Sequence, residues 1–206
     1  MEEFDIDGLR LDVAYCLDRN FLKKLHFHVK SKNPDFFLLG ETLHGDYNQW
    51  VNAEMLDSCT NYECYKGLYS SFNTKNLFEI CHSYNRQFGK EPWCLYTGKH
   101  LFNFVDNHDV VRIASILEKQ EYLPLIYTML FGMPGIPCIY YGSEWGIEGK
   151  KNWNDTDLRP EIKTLQSNAL TEFIKKLIEL KHSEIALQEG DYETFALTNL
   201  ACIFKR

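Results

Sequence analysis

No two cysteines of this chain stand in Cys-x-x-Cys spacing, and no His/Cys cluster has zinc-ligand spacing, so the ligand pattern excludes a metal site and no cofactor is expected. No apolar run approaches the roughly 18 residues of a membrane span, which excludes a membrane helix and leaves no membrane partner. Basic residues are never dense. The richest stretch, Lys23, Lys24, His26, His28 and Lys30, reads as the solvated face of a helix, and a net charge of −7 argues against nucleic acid as a partner. No internal repeat, low-complexity segment or signal peptide is legible. The chain opens directly into a core strand, so its natural start is expected to lie elsewhere.

What is present describes a globular protein. Aromatic residues make up 15% and charged residues 25%, and 206 residues suffice for one sizeable core, or for one domain plus the start of another. Seven cysteines are an odd number in a chain too large to need staples. They are expected to be reduced and mostly buried, which suits a cytoplasmic location.

Apolar periodicity alternates short strands with longer helices. "IDGLRLDV" reads as a strand and "FLKKLHFHVKSK" as a helix with Phe21, Leu22, Leu25 and Val29 on one stripe. "DFFLLGE" is a second strand and "EMLDSCTNY" a third, followed by a helix from about Asn73 to Gln87. "HLFNFVDNHD" is a fourth strand, followed by a helix through "EYLPLIYTMLFGM"; "GIPCIYYGSE" is a fifth, and "LTEFIKKLIELKHS" a long helix with Phe173, Leu177, Ile178 and Leu180 inward. Strands separated by helices imply parallel βα units and an α/β class. After His182 the pattern changes, and "DYETFALTNLACIFKR" reads as two strands about a turn at Thr198-Asn199, the opening of a separate all-β domain.

Alternation along the first strand puts Arg10 beside Asp12. Such a pair is either an inert ion pair or an ionised carboxylate readied as a nucleophile. Asp12, Glu41 and the His108-Asp109 pair each close a different strand, and in parallel α/β folds such ends converge on a ligand site. Three convergent acids with an arginine and a histidine suit glycosidic cleavage with retention: one carboxylate attacks, a second carboxyl group donates and then accepts a proton. Arg10 suits Asp12 to the first role, the apolar strand before Glu41 suits that residue to the second, and Asp109 is placed to bind sugar hydroxyls.

The motifs themselves resemble a known family. "DGLRLDVA", "LLGET" and "FVDNHD" are similar to the nucleophile, acid/base and third-acid motifs of the α-amylase family (glycoside hydrolase family 13). "MPGIPCIYYGSEWG" is similar to its last barrel strand, with Arg159-Pro160 in the loop beyond. The resemblance implies Asp12 as nucleophile, Glu41 as acid/base and Asp109 as transition-state stabiliser, with Arg10 and His108 beside them. It implies an α-glucan oligosaccharide as substrate, and a partial (β/α)8 TIM barrel comprising strands four to eight over residues 1–186. Residues 187–206 then begin a C-terminal β-sandwich domain. The first three strands and the family's Asp-x-x-x-Asn-His motif are absent, and open barrel edges imply self-association. Tyr15-Cys16 stands where many amylases carry Lys-His, so no calcium is expected from this segment. Tyr15 and Arg159 are taken as substrate-binding candidates, as are His44 and Tyr47, for which an ordinary loop role stays open. Trp50, Trp145 and Trp153 either stack on sugars or pack. His26, His28 and His82 are expected on helix surfaces.

Overall fold

The computed structural model describes residues 3–206. Four-residue strand β1 (Gly8–Leu11) leads through a single 3-10 turn to α1 (Arg19–Lys32) and back to β2 (Phe37–Gly40). Asp18 starts α1 by accepting the Phe21 N–H at 2.8 Å, and Lys30 and Lys32 in the last turn complement the helix dipole. Leu22 and Val29 are buried, whereas Phe21, expected on the same stripe, is exposed. Consecutive residues of an α-helix are 100° apart, so Phe21 is turned from Leu22 toward solvent.

β1 and β2 pair in parallel, with Leu11 opposite Gly40. Gly40 is required by close approach: a Cβ there would overlap Leu56 Cδ1 and stand 2.9 Å from Ala14 Cβ. The third strand is far shorter than the expected 54–62 stretch. Only Ser58–Cys59 (β3) pairs with β2, because Asn61 caps a helix, α2 (Tyr62–Asn73), by accepting from the Cys64 N–H at 3.3 Å. This helix was not anticipated. Its tyrosines and phenylalanine mimic a strand, yet Cys64, Leu68 and Phe72 recur at fours and are buried. The chain reverses through Lys75 (φ 54°), so the helix expected over 73–87 begins at Leu77 instead (α3, Leu77–Phe88).

β4 (Phe102–Phe104) then pairs in parallel with β5 (Ile136–Cys138), after α4 (Ile113–Ile116) and α5 (Leu123–Gly132). A parallel bridge from Thr60 to Phe102 joins the two sheets, so the parallel strands run in one row, β1-β2-β3-β4-β5. α6 (Ala169–Ser183) opens with a reciprocal cap between Asn168 and Thr171 and buries Ile174. Leu180, expected inward, is exposed: it stands about 120° around the helix from the buried Ile174. After α7 (Ile185–Glu189), β6 (Glu193–Thr198) and β7 (Ala201–Lys205) form an antiparallel hairpin. It packs on α3, where Asn85 Nδ2 donates to the Thr194 carbonyl at 2.8 Å, and on α5, where Phe204 lies over Gly132.

Two apolar cores result. The smaller joins Ala14, Leu22, Val29, Phe36, Leu38, Trp50, Met55 and Leu56; the larger packs α2, α3 and α5 against the later strands. All seven cysteines are free, with Cys16 exposed.

Candidate active site

Asp12 and Glu41 each follow the last residue of a strand, and the β1–β2 register places those ends side by side. The Arg10 guanidinium bridges them: Nη1 pairs with Asp12 Oδ1, and Nη2 lies 3.0 Å from Glu41 Oε1. Glu41 is 6% exposed, and its other oxygen accepts the Val13 N–H at 3.0 Å. Val13 reaches that position in the left-handed region (φ 46°), so β1 ends at Leu11 and the expected strand does not run on to residue 13. Glu41 therefore sits among donors as well as against apolar strand. In the loops that follow the two strands, the rings of Tyr15 and His44 meet with centroids 5.4 Å apart.

The second half of the site lies beyond β4. His108 Nε2 is 3.1 Å from Asp109 Oδ2, and Arg159 Nη2 is 2.9 Å from Asp109 Oδ1 while its Nε donates to the His108 carbonyl at 3.1 Å. Arg159 also pairs with Asp155 at 3.3 Å, and Lys151 donates to the Asp109 carbonyl at 3.0 Å. Asn107 ties this loop to α2: its Oδ1 accepts the Asp109 N–H at 2.8 Å and its Nδ2 donates to the Tyr62 hydroxyl at 3.0 Å. Burial pushes the Tyr62 hydroxyl up. The charges of Glu41 and Asp109 push the same way, while Asn107 and Arg10 oppose them, so both halves of the site act on this one hydroxyl. Tyr62 begins the unanticipated helix, and no residue-type signal in the sequence marked it.

The α-amylase catalytic-domain model matches residues 1–184. The chain belongs to the α-amylase family. It is 31% identical over 207 residues to a cyclomaltodextrinase of Geobacillus thermopakistaniensis, covering 93% of this chain and 32% of that protein. To an intracellular maltogenic amylase of Bacillus subtilis it is 31% identical over 202 residues, covering 94% and 33%. Among solved structures, an Anoxybacillus α-amylase superposes with a TM-score of 0.85 at 30% identity, covering the whole of this chain and 46% of that one. The chain thus spans about a third of the length of the curated relatives it matches.

In this α-amylase-family segment a buried network underlies His108 and Asp109. Asp106, the first acid of "FVDNHD", is 1% exposed; it accepts the Ile113 N–H at 2.8 Å and the Ser143 hydroxyl at 2.7 Å. Burial pushes its carboxyl up, and the Ile113 and Ser143 donors with Arg112 offset part of that. Arg112, fully buried, donates to the Tyr141 carbonyl at 2.7 Å and to Ser143 Oγ at 3.1 Å. Its guanidinium lies 4.1 Å from the Tyr140 ring centre, and Tyr140 neighbours His108. Asp106, Arg112 and Ser143 were all missed, because burial of charge cannot be read from a loop motif.

The other candidates disperse. Tyr47 is buried and stacks on Tyr96, and Trp50 is buried in the smaller core, so both pack. Trp153 is almost fully exposed, and Trp145 is half-buried at the start of α6 with its carbonyl bound by Asn168. His28 and His82 are exposed, while His26 is half-buried and donates from Nδ1 to the Met55 carbonyl at 2.8 Å. Among the described residues, no cluster of three or more metal-ligating side chains forms, and no helix is long and apolar enough to cross a membrane.

Proposed function

We propose that this segment carries the acid pair of a retaining glycoside hydrolase acting on α-glucans or maltodextrins. The observation that carries the reading is Arg10, whose single guanidinium holds Asp12 and Glu41 side by side. Retention needs two carboxyl groups about 5–5.5 Å apart, with no room for water between them. Glu41 protonates the glycosidic oxygen while Asp12 attacks the anomeric carbon, and the leaving sugar departs with that proton. Glu41 then takes a proton from water, which displaces Asp12 and restores the α configuration. Asp109, oriented by His108 and Arg159, binds sugar hydroxyls as charge develops on the ring, with Tyr15 and His44 at the leaving-group side. Transfer to a sugar acceptor, in a transglycosylase or isomerase, shares the same covalent intermediate and the same residues.

Residues 1–186 are read as strands four to eight of a TIM barrel, and 187–206 as the start of a β-sandwich domain. A cytoplasmic location is supported by the free cysteines and by the name of the Bacillus relative, an intracellular amylase. For the 206-residue chain by itself, a row that ends at β1 and β5 favours a second reading, a barrel segment without turnover. Proton NMR of the first products formed by a full-length polypeptide carrying this segment tests the main reading. A new reducing end in the α form is expected, and a β-anomer appearing first would overturn it.

A further inference from the structure

β3 stands between β2 and β4 in the strand row, so the turn that follows it lies between the two halves of the candidate site. Glu41 directly follows β2, Tyr62 lies three residues beyond β3, and Asp109 five beyond β4. That turn is held from both sides. Thr60 Oγ1 accepts the Thr42 N–H at 2.9 Å, next to Glu41, and donates to the Thr42 carbonyl at 3.1 Å, while the Asn61 N–H donates to the Phe102 carbonyl at 2.9 Å. The Tyr62 ring stands edge-on to Phe104 of β4, with centroids 4.9 Å apart. Backbone and ring together fix the phenol in place without help from its hydroxyl.

The hydroxyl itself makes one hydrogen bond among the described residues: it accepts from Asn107 Nδ2 at 3.0 Å, and Asn107 Oδ1 accepts the Asp109 N–H at 2.8 Å. One amide side chain thus joins the phenol to the backbone of Asp109. The other holds on Asp109 come from its own side of the site, from His108 beside it and from Arg159 and Lys151 in the later loop.

We propose, resting on the retaining-hydrolase reading above, that Tyr62 is a positioning residue that sets Asp109 through Asn107 and so fixes the third acid relative to Asp12 and Glu41. A neutral group suits that place. Burial, then the charges of Glu41 and Asp109, push the hydroxyl up, so it stays protonated and adds no further negative charge between the carboxyl groups. Asp109 tightens on sugar hydroxyls as charge develops on the ring, so an error in its place is felt in the transition state more than in the bound substrate. Misplacing such a group by about 1 Å costs up to about a hundredfold in rate.

The test uses a full-length polypeptide carrying this segment, with Tyr62→Phe, which keeps the ring and removes only the hydroxyl. On maltoheptaose kcat is expected to fall about tenfold, with KM within about twofold and Tm unchanged. The same loss is expected on glycosyl fluorides, which separates it from any effect passed through Glu41, the acid those substrates do not need. Asn107→Ala should match it, and the double variant should lose no more than either single one, whereas independent residues would multiply to about a hundredfold. Unchanged kcat in Tyr62→Phe, a lower Tm with kcat per folded molecule unchanged, or losses that multiply would overturn the assignment. If Tyr62→Phe fails to fold, Asn107→Ala decides, and an unchanged kcat there overturns it. Failure of the hydrolase reading looks different: a β-anomer released first, or turnover retained in Asp12→Asn, removes that chemistry and the role of Tyr62 with it.

Discussion

Val13 hands its backbone N–H to Glu41 Oε2 from a left-handed conformation that a β-branched residue strongly disfavours. The local backbone is therefore strained at a carboxyl group of the candidate site. Val13→Asn, which tolerates this conformation while keeping the N–H, is expected to raise stability by about 1 kcal/mol in urea unfolding. Val13 is exposed, so little burial is lost. Unchanged or lower stability would argue against the strain.

Asp12 and Glu41 should separate by leaving group. In a full-length polypeptide carrying the segment, Asp12→Asn is expected to abolish turnover on every substrate. Glu41→Gln should slow natural maltodextrins by a hundredfold or more while sparing the first step on glycosyl fluorides, which need no proton. Equal losses on both substrates for the Glu41 variant would remove it from the acid role.

Asp106→Ala should destabilise the chain by about 3 kcal/mol, because it strips Ser143 and the Ile113 N–H of their acceptor and removes a buried carboxylate that the Arg112 charge offsets. Denaturant titration measures this, and a cost under about 1 kcal/mol would show that the network is ornamental to stability.

Lys181 offers a pH signature. Its ammonium is buried and donates to the Met133 and Leu187 carbonyls, and burial lowers it to about 8. The unfolded chain keeps that proton up to about 10.5. Between these values the unfolded state binds more protons, so stability rises with pH, by about 2 kcal/mol from this residue. Thermal scans at pH 7.5 and 10 should show the gain, and Lys181→Met should flatten it.

The 206-residue chain alone is expected to self-associate and to turn over maltoheptaose poorly. In its strand row β1 and β5 each have a neighbour on one side only, and edges of this kind invite pairing with another chain. Light scattering with a maltoheptaose assay checks both halves. A monodisperse monomer with ordinary amylase turnover would contradict the expectation.

Much of this was legible where chemistry and period coincide. Asp12, Glu41 and Asp109 each follow an apolar run in a quoted motif, and the structure sets the first two on one arginine and the third between a histidine and a second arginine. Less was legible where a residue's role depends on what folds over it. Tyr62 looked like the end of a strand because aromatic content outweighed the Asn61 cap, a one-atom signal. Asp106 and Asp109 stand three apart in one hexapeptide and differ mainly in burial, which depends on Ser143 and Arg112 arriving from later in the chain. Phe21 and Leu180 went astray because hydrophobicity alone does not set the phase of a helix against its neighbour.

The division into two cores gives the protein a seam. Asp12 and Glu41 border the smaller core and Asp109 the larger, and between β3 and β4 the strand pairing narrows to the Thr60–Phe102 bridge, helped by the Asn61 amide reaching Asn103 at 2.8 Å. Breathing along that seam would separate the carboxyl groups while helices α2, α3 and α5 stayed folded. Amide hydrogen exchange should then show β1 and β2 opening as one cooperative unit ahead of the rest, and heat inactivation would track that local opening at temperatures below global melting.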